Sequence, residues 1–261
     1  MSSLSLAVRD SSTMLRRNLL HARRYPSLTL NLLLTPVMLL LLFVYIFGDT
    51  MSAGIGGGDR SAYIAYLVPG ILLMTIGSTT IGTAVSVATD MSEGIIARFR
   101  TMAIHRGSVL IGHVVGSVLQ AVASVVVLGA VGVAIGFRSV DATALEWLAA
   151  FGLLVLFALA LTWIAVGMGL ISPNAEAASN TAMPLIFLPL ISSTFVPVHS
   201  MPGWFQPVAQ YQPFTPAIET LRGLLLGTEI GNNWWIALLW CLGLTVLGYR
   251  WSQAVFNRDP K

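Results

Sequence analysis

Long apolar runs set the hydropathy pattern of this chain. They cover residues 27–47, 62–88, 108–135, 146–171, 179–197 and 233–253, with short polar stretches between them. An α-helix needs about 20 apolar residues to cross the hydrocarbon core of a bilayer. The pattern therefore predicts an all-α integral membrane fold with six transmembrane helices. The fifth run is interrupted by Pro184 and Pro189, and a proline inside a helix removes one hydrogen bond and crowds the preceding turn. Tyr45, Phe47, Tyr63, Tyr66, Trp147, Trp234, Trp235 and Trp251 gather at the ends of runs, where aromatic rings sit at headgroup level.

Shorter periodic segments lie between the runs. In residues 1–24, Leu4, Val8, Leu15 and Leu19 fall near one helical face and Arg9, Arg16, Arg17, Arg23 and Arg24 occupy the rest. That suits an interfacial helix with its arginines toward anionic headgroups; a basic tail is the plainer reading. Tyr25-Pro26 ends it. The 89–106 stretch is too polar to span. Ile95, Ile96, Phe99, Met102 and Ala103 recur at helical spacing, among Glu93, Arg98, Arg100 and His105. This is a short amphipathic cytoplasmic helix that either rests on the membrane or docks into a cytoplasmic partner.

The 198–232 stretch combines Pro202, Pro207, Pro213 and Pro216 with Trp204, Phe205, Tyr211 and Phe214, and is too apolar for a hydrated loop. Thr215-Pro216 reads as an N-cap followed by proline at the first helical position. Gly227 suits the helix end. A helix over 216–226 would be about 16 Å long, half a bilayer. Glu219 and Arg222, three apart, pair on one face. The segment is expected to re-enter the membrane from outside as a half-helix; an amphipathic helix flat on the outer surface is the alternative. Gly112-x-x-x-Gly116 and Gly132-x-x-x-Gly136 would allow close helix approach.

Composition changes the picture in two ways. Of 261 residues only 10% are charged, against about a quarter in soluble domains, so residues 1–261 read as one transmembrane domain. The charges also set topology. The N-terminal segment, the 89–107 loop and the C-terminus carry 11 of the 14 Arg and Lys residues, whereas the other loops carry Arg60, Arg138 and Arg222. The positive-inside rule then places both termini in the cytoplasm. The arginines flank apolar runs rather than an aromatic-rich soluble face, which argues against nucleic acid. The lone Cys241 cannot form an intrachain disulfide. No small-residue cleavage site follows the first run, so it reads as an uncleaved helix.

Most of the runs have no ionisable residue in their middles. Glu146 lies at an outer edge and His113 near a cytoplasmic end; His113 is either a proton carrier or a packing histidine. Intramembrane charges mark proton relays and ion pathways, so their absence argues against a proton-coupled pump, a charge-lined channel and a membrane hydrolase. A P-loop needs a lysine after its glycines, and the only lysine is Lys261. The glycines between Gly54 and Gly58 read as a flexible turn. The chain is not expected to be an enzyme or to bind a metal or a nucleotide cofactor itself.

Four stretches together resemble the membrane subunit of an ABC-2 type exporter, within the daunorubicin-resistance-like drug and lipid permeases. They are Arg23 to Pro26 with Pro36 and Phe47-Gly48; Tyr66 to Ile71 with its Pro69-Gly70; Asp90 to Gly112; and Pro213 to Gly227. The resemblance implies a separate cytoplasmic ATPase subunit in two copies, which holds ATP and Mg, and a second permease, either another copy or a related chain. It implies a coupling helix using Glu93, Arg98, Phe99, Arg100 and Arg106, and an external re-entrant segment using Thr215, Pro216, Glu219, Arg222 and Gly227. A drug, lipid or glycolipid would pass through a cavity lined by spans 1, 2 and 5 in a bacterial cell membrane. A polysaccharide exporter and a non-transporting assembly protein are the alternatives. The loop departs from the family pattern at Met102-Ala-Ile104, where a proline is often found.

Overall fold

The computed structural model describes residues 26–54, 60–94, 106–139 and 142–257. The first 25 residues, and Arg98, Phe99 and Arg100 of the expected coupling helix, lie outside the described residues. The described elements are helical: α1 Pro26–Tyr45, α2 Gly48–Gly54, α3 Arg60–Ser92, α4 Arg106–Ala134, α5 Ala144–Ile171, α6 Ala175–Ala182, α7 Pro184–Leu190, α8 Gln206–Tyr211, α9 Phe214–Leu226 and α10 Asn233–Phe256, with a 3-10 turn at Val198–Ser200. Arg60–Ser92, Leu110–Ala134 and Ala144–Ile171 are long and apolar enough to cross a membrane. α10 has 24 residues, a length of about 36 Å. The chain is a helical membrane protein with several apolar spans.

α3 is the central helix. Leu67, Ile71, Leu73, Met74 and Ile76 are fully or almost fully buried, and the helix packs against α1, α2, α4, α5, α6, α7 and α9. A helix that is apolar all round belongs inside a bundle. α5 packs on α3 and α10. Within lipid, helices associate through van der Waals fit rather than the hydrophobic effect, so small residues admit close approach. A Cβ on Gly169 of α5 would sit 2.5 Å from the Ala84 carbonyl of α3, and one on Gly248 of α10 would sit 2.9 Å from the Trp163 carbonyl carbon of α5. The Ser252 hydroxyl donates to the Trp163 carbonyl at 3.2 Å. Of the spaced glycines singled out above, Gly132 faces the Val68 side chain and Gly136 ends α4 at φ +116°.

The fifth run differs from the expected 179–197 span. Its helix begins at Ala175, because the Asn174 side chain accepts the Ala177 N–H at 2.8 Å and caps it. It breaks at Met183–Pro184 and stops at Leu190. Ala175 to Leu190 rises only about 24 Å, short of the ~30 Å hydrocarbon thickness. Residues 191–196 continue as turns. The second run is longer than expected: α3 extends past residue 88 to Ser92 and closes at Gly94, φ +69°, whose N–H bonds the Met91 carbonyl.

Candidate functional site

α9 is set into the bundle against α3, α5 and α10. Phe214, Ala217, Ile218 and Leu221 are fully buried, and the Phe214 ring meets Phe157 edge-on at 4.9 Å. The helix starts two residues before the expected position. Pro213 is the residue ahead of its first turn, and Phe214 donates its N–H to the Gln212 side chain at 3.0 Å. Thr215 is therefore not the N-cap. Its hydroxyl donates to the Ala209 carbonyl and accepts the Ser193 N–H at 3.2 Å. Pro216 falls third in the helix, where its missing N–H would have had no intrahelical partner. Gly227 ends the helix at φ +71°, its N–H bonded to the Gly223 carbonyl, the left-handed geometry glycine favours.

Arg222 organises the region. Its side chain is 4% exposed and every guanidinium nitrogen is engaged. Nε donates to the Tyr66 carbonyl at 3.0 Å. Nη1 donates to Glu219 Oε1 at 2.7 Å and to Ser193 Oγ at 3.3 Å. Nη2 donates to the Ser193 carbonyl at 2.6 Å. The planar five-donor fork is what allows one side chain to reach three partners. Tyr66 adds its own hydroxyl to the Ser193 carbonyl at 2.9 Å, and Tyr63 makes a longer contact, 3.5 Å, to the Phe195 carbonyl.

These bonds answer a need created by the sequence. Where a helix gives out inside a bundle, its buried backbone groups must find partners within the protein. Residues 191–196 form that break, and Arg222, Tyr66 and Tyr63 reach its carbonyls. Tyr66 lies one turn before Pro69, whose ring lacks the N–H that would bond the Ala65 carbonyl. Gly70 then clears space for the break: a Cβ there would lie 2.8 Å from the Thr194 Cα. Three elements of α3, α9 and the 191–196 turns are thereby tied at one point.

At the opposite end, Glu93 and Arg106 are the sequence-derived residues that fall among the described ones. Glu93 is exposed just beyond α3, and Arg106 opens α4. Sequence reasoning missed the pair beside them. Asp90, in the last turn of α3, lies 3.0 Å through Oδ2 from Nε2 of His113 on α4, with the two side chains 12% and 4% exposed. The signal was present in an acid and a histidine flanking the 93–105 segment, but it required α3 to continue past residue 88. Among the described residues no group of three metal-ligating side chains comes together.

The sequence model of the ABC-2 type transporter family matches residues 10–226. A daunorubicin resistance ABC transporter permease protein of Streptomyces coeruleorubidus is 29% identical over 240 residues, covering 90% of this chain and 81% of that protein. A probable doxorubicin resistance ABC transporter permease protein of Mycobacterium tuberculosis is 25% identical over 190 residues, 68% of each chain. An ABC transporter G family member of Dictyostelium discoideum is 24% identical over 200 residues, 73% of this chain but 26% of the longer protein. The helical bundle and a match over most of its length agree: the chain belongs to the ABC-2 type transporter family, as a membrane permease that leaves ATP hydrolysis to a separate subunit.

Proposed function

We propose that this chain is the transmembrane half of an ATP-driven exporter that moves a hydrophobic or amphipathic substrate, a drug, lipid or glycolipid, out of the cytoplasm or the inner leaflet. The family match carries the reading, together with the drug-resistance permeases to which the chain is similar over most of its length. The apolar spans support it, because a transporter with so few charges must draw its energy from elsewhere. In this reading residues 1–261 form one six-span domain in the bacterial cell membrane, with both termini cytoplasmic. Two copies of a cytoplasmic ATPase carry ATP and Mg, and a second permease, identical or related, completes the pathway.

The two ends of the bundle take different parts. Glu93, Arg98, Phe99, Arg100 and Arg106 meet the ATPase. α9, held by Arg222, re-enters from outside and closes the outer exit together with the broken fifth span. The buried face of α9 and its ties to α3 and to residues 191–196 favour this over a helix resting on the outer surface.

The test reverses charge in the loop. The full chain carrying Arg98→Glu and Arg100→Glu is expected to insert normally and to lower permease-stimulated ATP hydrolysis by about fivefold or more, the low end of site-to-site couplings. Unchanged stimulation would remove the docking claim. Cells expressing the chain with its ATPase are expected to accumulate less doxorubicin than cells with an empty vector; equal accumulation would remove that drug from the substrate class.

A further inference from the structure

We propose that Asp90 and His113 are a positioning pair for energy coupling: they lock the two roots of the 93–105 segment together, so that a push on the segment moves α3 and α4 as one body. The inference rests on the reading that this segment meets the ATPase.

The placement is specific. Asp90 lies two residues before the end of α3 and His113 seven residues into α4. The two are 23 positions apart in sequence and 3.0 Å apart in space. Both are buried, and Val87, Leu110 and Val114, their near neighbours in sequence, belong to a cluster that also takes in Leu170 of α5 and Phe256 of α10. α3, α5 and α10 are already joined at this end by the glycine contacts of Gly169 and Gly248. α4 is the outlying member, with Ile111, Val115 and Leu119 exposed along its flank. Among the described residues, the imidazole gives α4 a polar contact with α3.

Apolar side chains of similar volume would pack at this position at least as stably as a buried polar pair. What an apolar contact lacks is direction. Greasy faces slide and rotate past one another, whereas a carboxylate–imidazole bond is satisfied at a single register. A polar pair here trades stability for a fixed relation between two helices. That is what a lever arm requires at its base.

The test uses the full chain assembled with its ATPase subunit in nanodiscs. Two quantities are read: ATPase retained after washing, and ATP hydrolysis per retained ATPase. His113→Gln keeps an N–H donor toward Asp90, and His113→Met removes it at similar size. The glutamine variant is expected to stay near native, and the methionine variant to retain the ATPase but lose about fivefold or more of its stimulated hydrolysis. Asp90→Leu with His113→Leu removes both ends of the bond at once, and is expected to fold, bind and remain as poorly coupled as the methionine variant. Exchanging the pair, Asp90→His with His113→Asp, is expected to restore most of the loss. Native hydrolysis per ATPase in the double-leucine variant would overturn the proposal, because packing alone would then suffice. Equal behaviour of the glutamine and methionine variants would overturn it as well. The docking reading fails on a different signal, ATPase retention that survives charge reversal at Arg98 and Arg100.

Discussion

The guanidinium of Arg222 sits over the ring of Tyr66, its Cζ 3.5 Å from the ring centroid, while its Nε bonds the Tyr66 carbonyl at 3.0 Å. One residue of α3 thus offers both a π face and a backbone oxygen to one residue of α9. Arg222→Ala would leave the Tyr66 carbonyl and Ser193 short of a donor and Glu219 without its cation. Breaking a buried pair from one side costs about 3–5 kcal/mol. Glu219 is 32% exposed, so a loss of about 3 kcal/mol, the low end, is expected in SDS unfolding of the purified chain. Arg222→Lys should recover little of it, since an ammonium can neither fork nor stack as a guanidinium does. A lysine variant as stable as the native chain would show that charge alone holds the site.

Gly70 gives a second prediction. A Cβ at this position meets the Thr194 Cα and Cγ2, both at 2.8 Å. The obstacle includes backbone, so Gly70→Ala must push the 191–196 turns away from α3, at about 1–3 kcal/mol for overpacking. Gly129 is the control, because a Cβ there meets nothing within 4 Å. Gly129→Ala in the interior of α4 is expected to leave stability unchanged or raise it by up to about 1 kcal/mol. Equal effects at the two positions would contradict the close approach at Gly70.

The early start of α6 supplies a third. Asn174→Ala removes the side chain that caps the Ala177 N–H and is expected to lower stability by about 1 kcal/mol, whereas Asn174→Asp keeps an acceptor and most of the stability. The same SDS titration reads both.

A fourth separates a helix set into the bundle from one lying on its surface. Trp204 is 80% exposed, whereas the α9 residues Ile218 and Leu221 are fully buried. With a membrane-impermeant maleimide added outside, Trp204→Cys should label fast, and Glu219→Cys and Ile218→Cys slowly. The buried Cys241 gives little background. Fast labelling at both α9 positions would favour a surface helix.

Much of this bundle could be read from residue order because lipid leaves few options: long apolar runs become helices, and most boundaries fell within a few residues. The pairing of Glu219 with Arg222 followed from a separation of three on a helix. What escaped was tertiary. Thr215 looked like a cap, yet the helix begins ahead of it at Phe214, whose N–H goes to Gln212, and the Thr215 hydroxyl turns back to Ala209. Arg222 was legible as half of an ion pair but not as the partner of Ser193, 29 residues away. Asp90 was assigned to a loop because polar residues end apolar runs, and only the helix that carries it inward shows why His113 waits there.

The break in the fifth apolar run has a consequence for how the protein is made. Residues 191–196 emerge from the ribosome ahead of Arg222, 29 residues further on, so the carbonyl of Ser193 has no guanidinium within reach when its segment first leaves the tunnel. α3, with Tyr63 and Tyr66, is by then in place and can offer hydroxyls, but the remaining donors arrive only with α9. The segment must wait, sheltered or hydrated, until the chain has grown far enough to complete it. The last stage of biogenesis therefore finishes an earlier segment, and a chain cut short before α9 would leave that segment exposed to quality control.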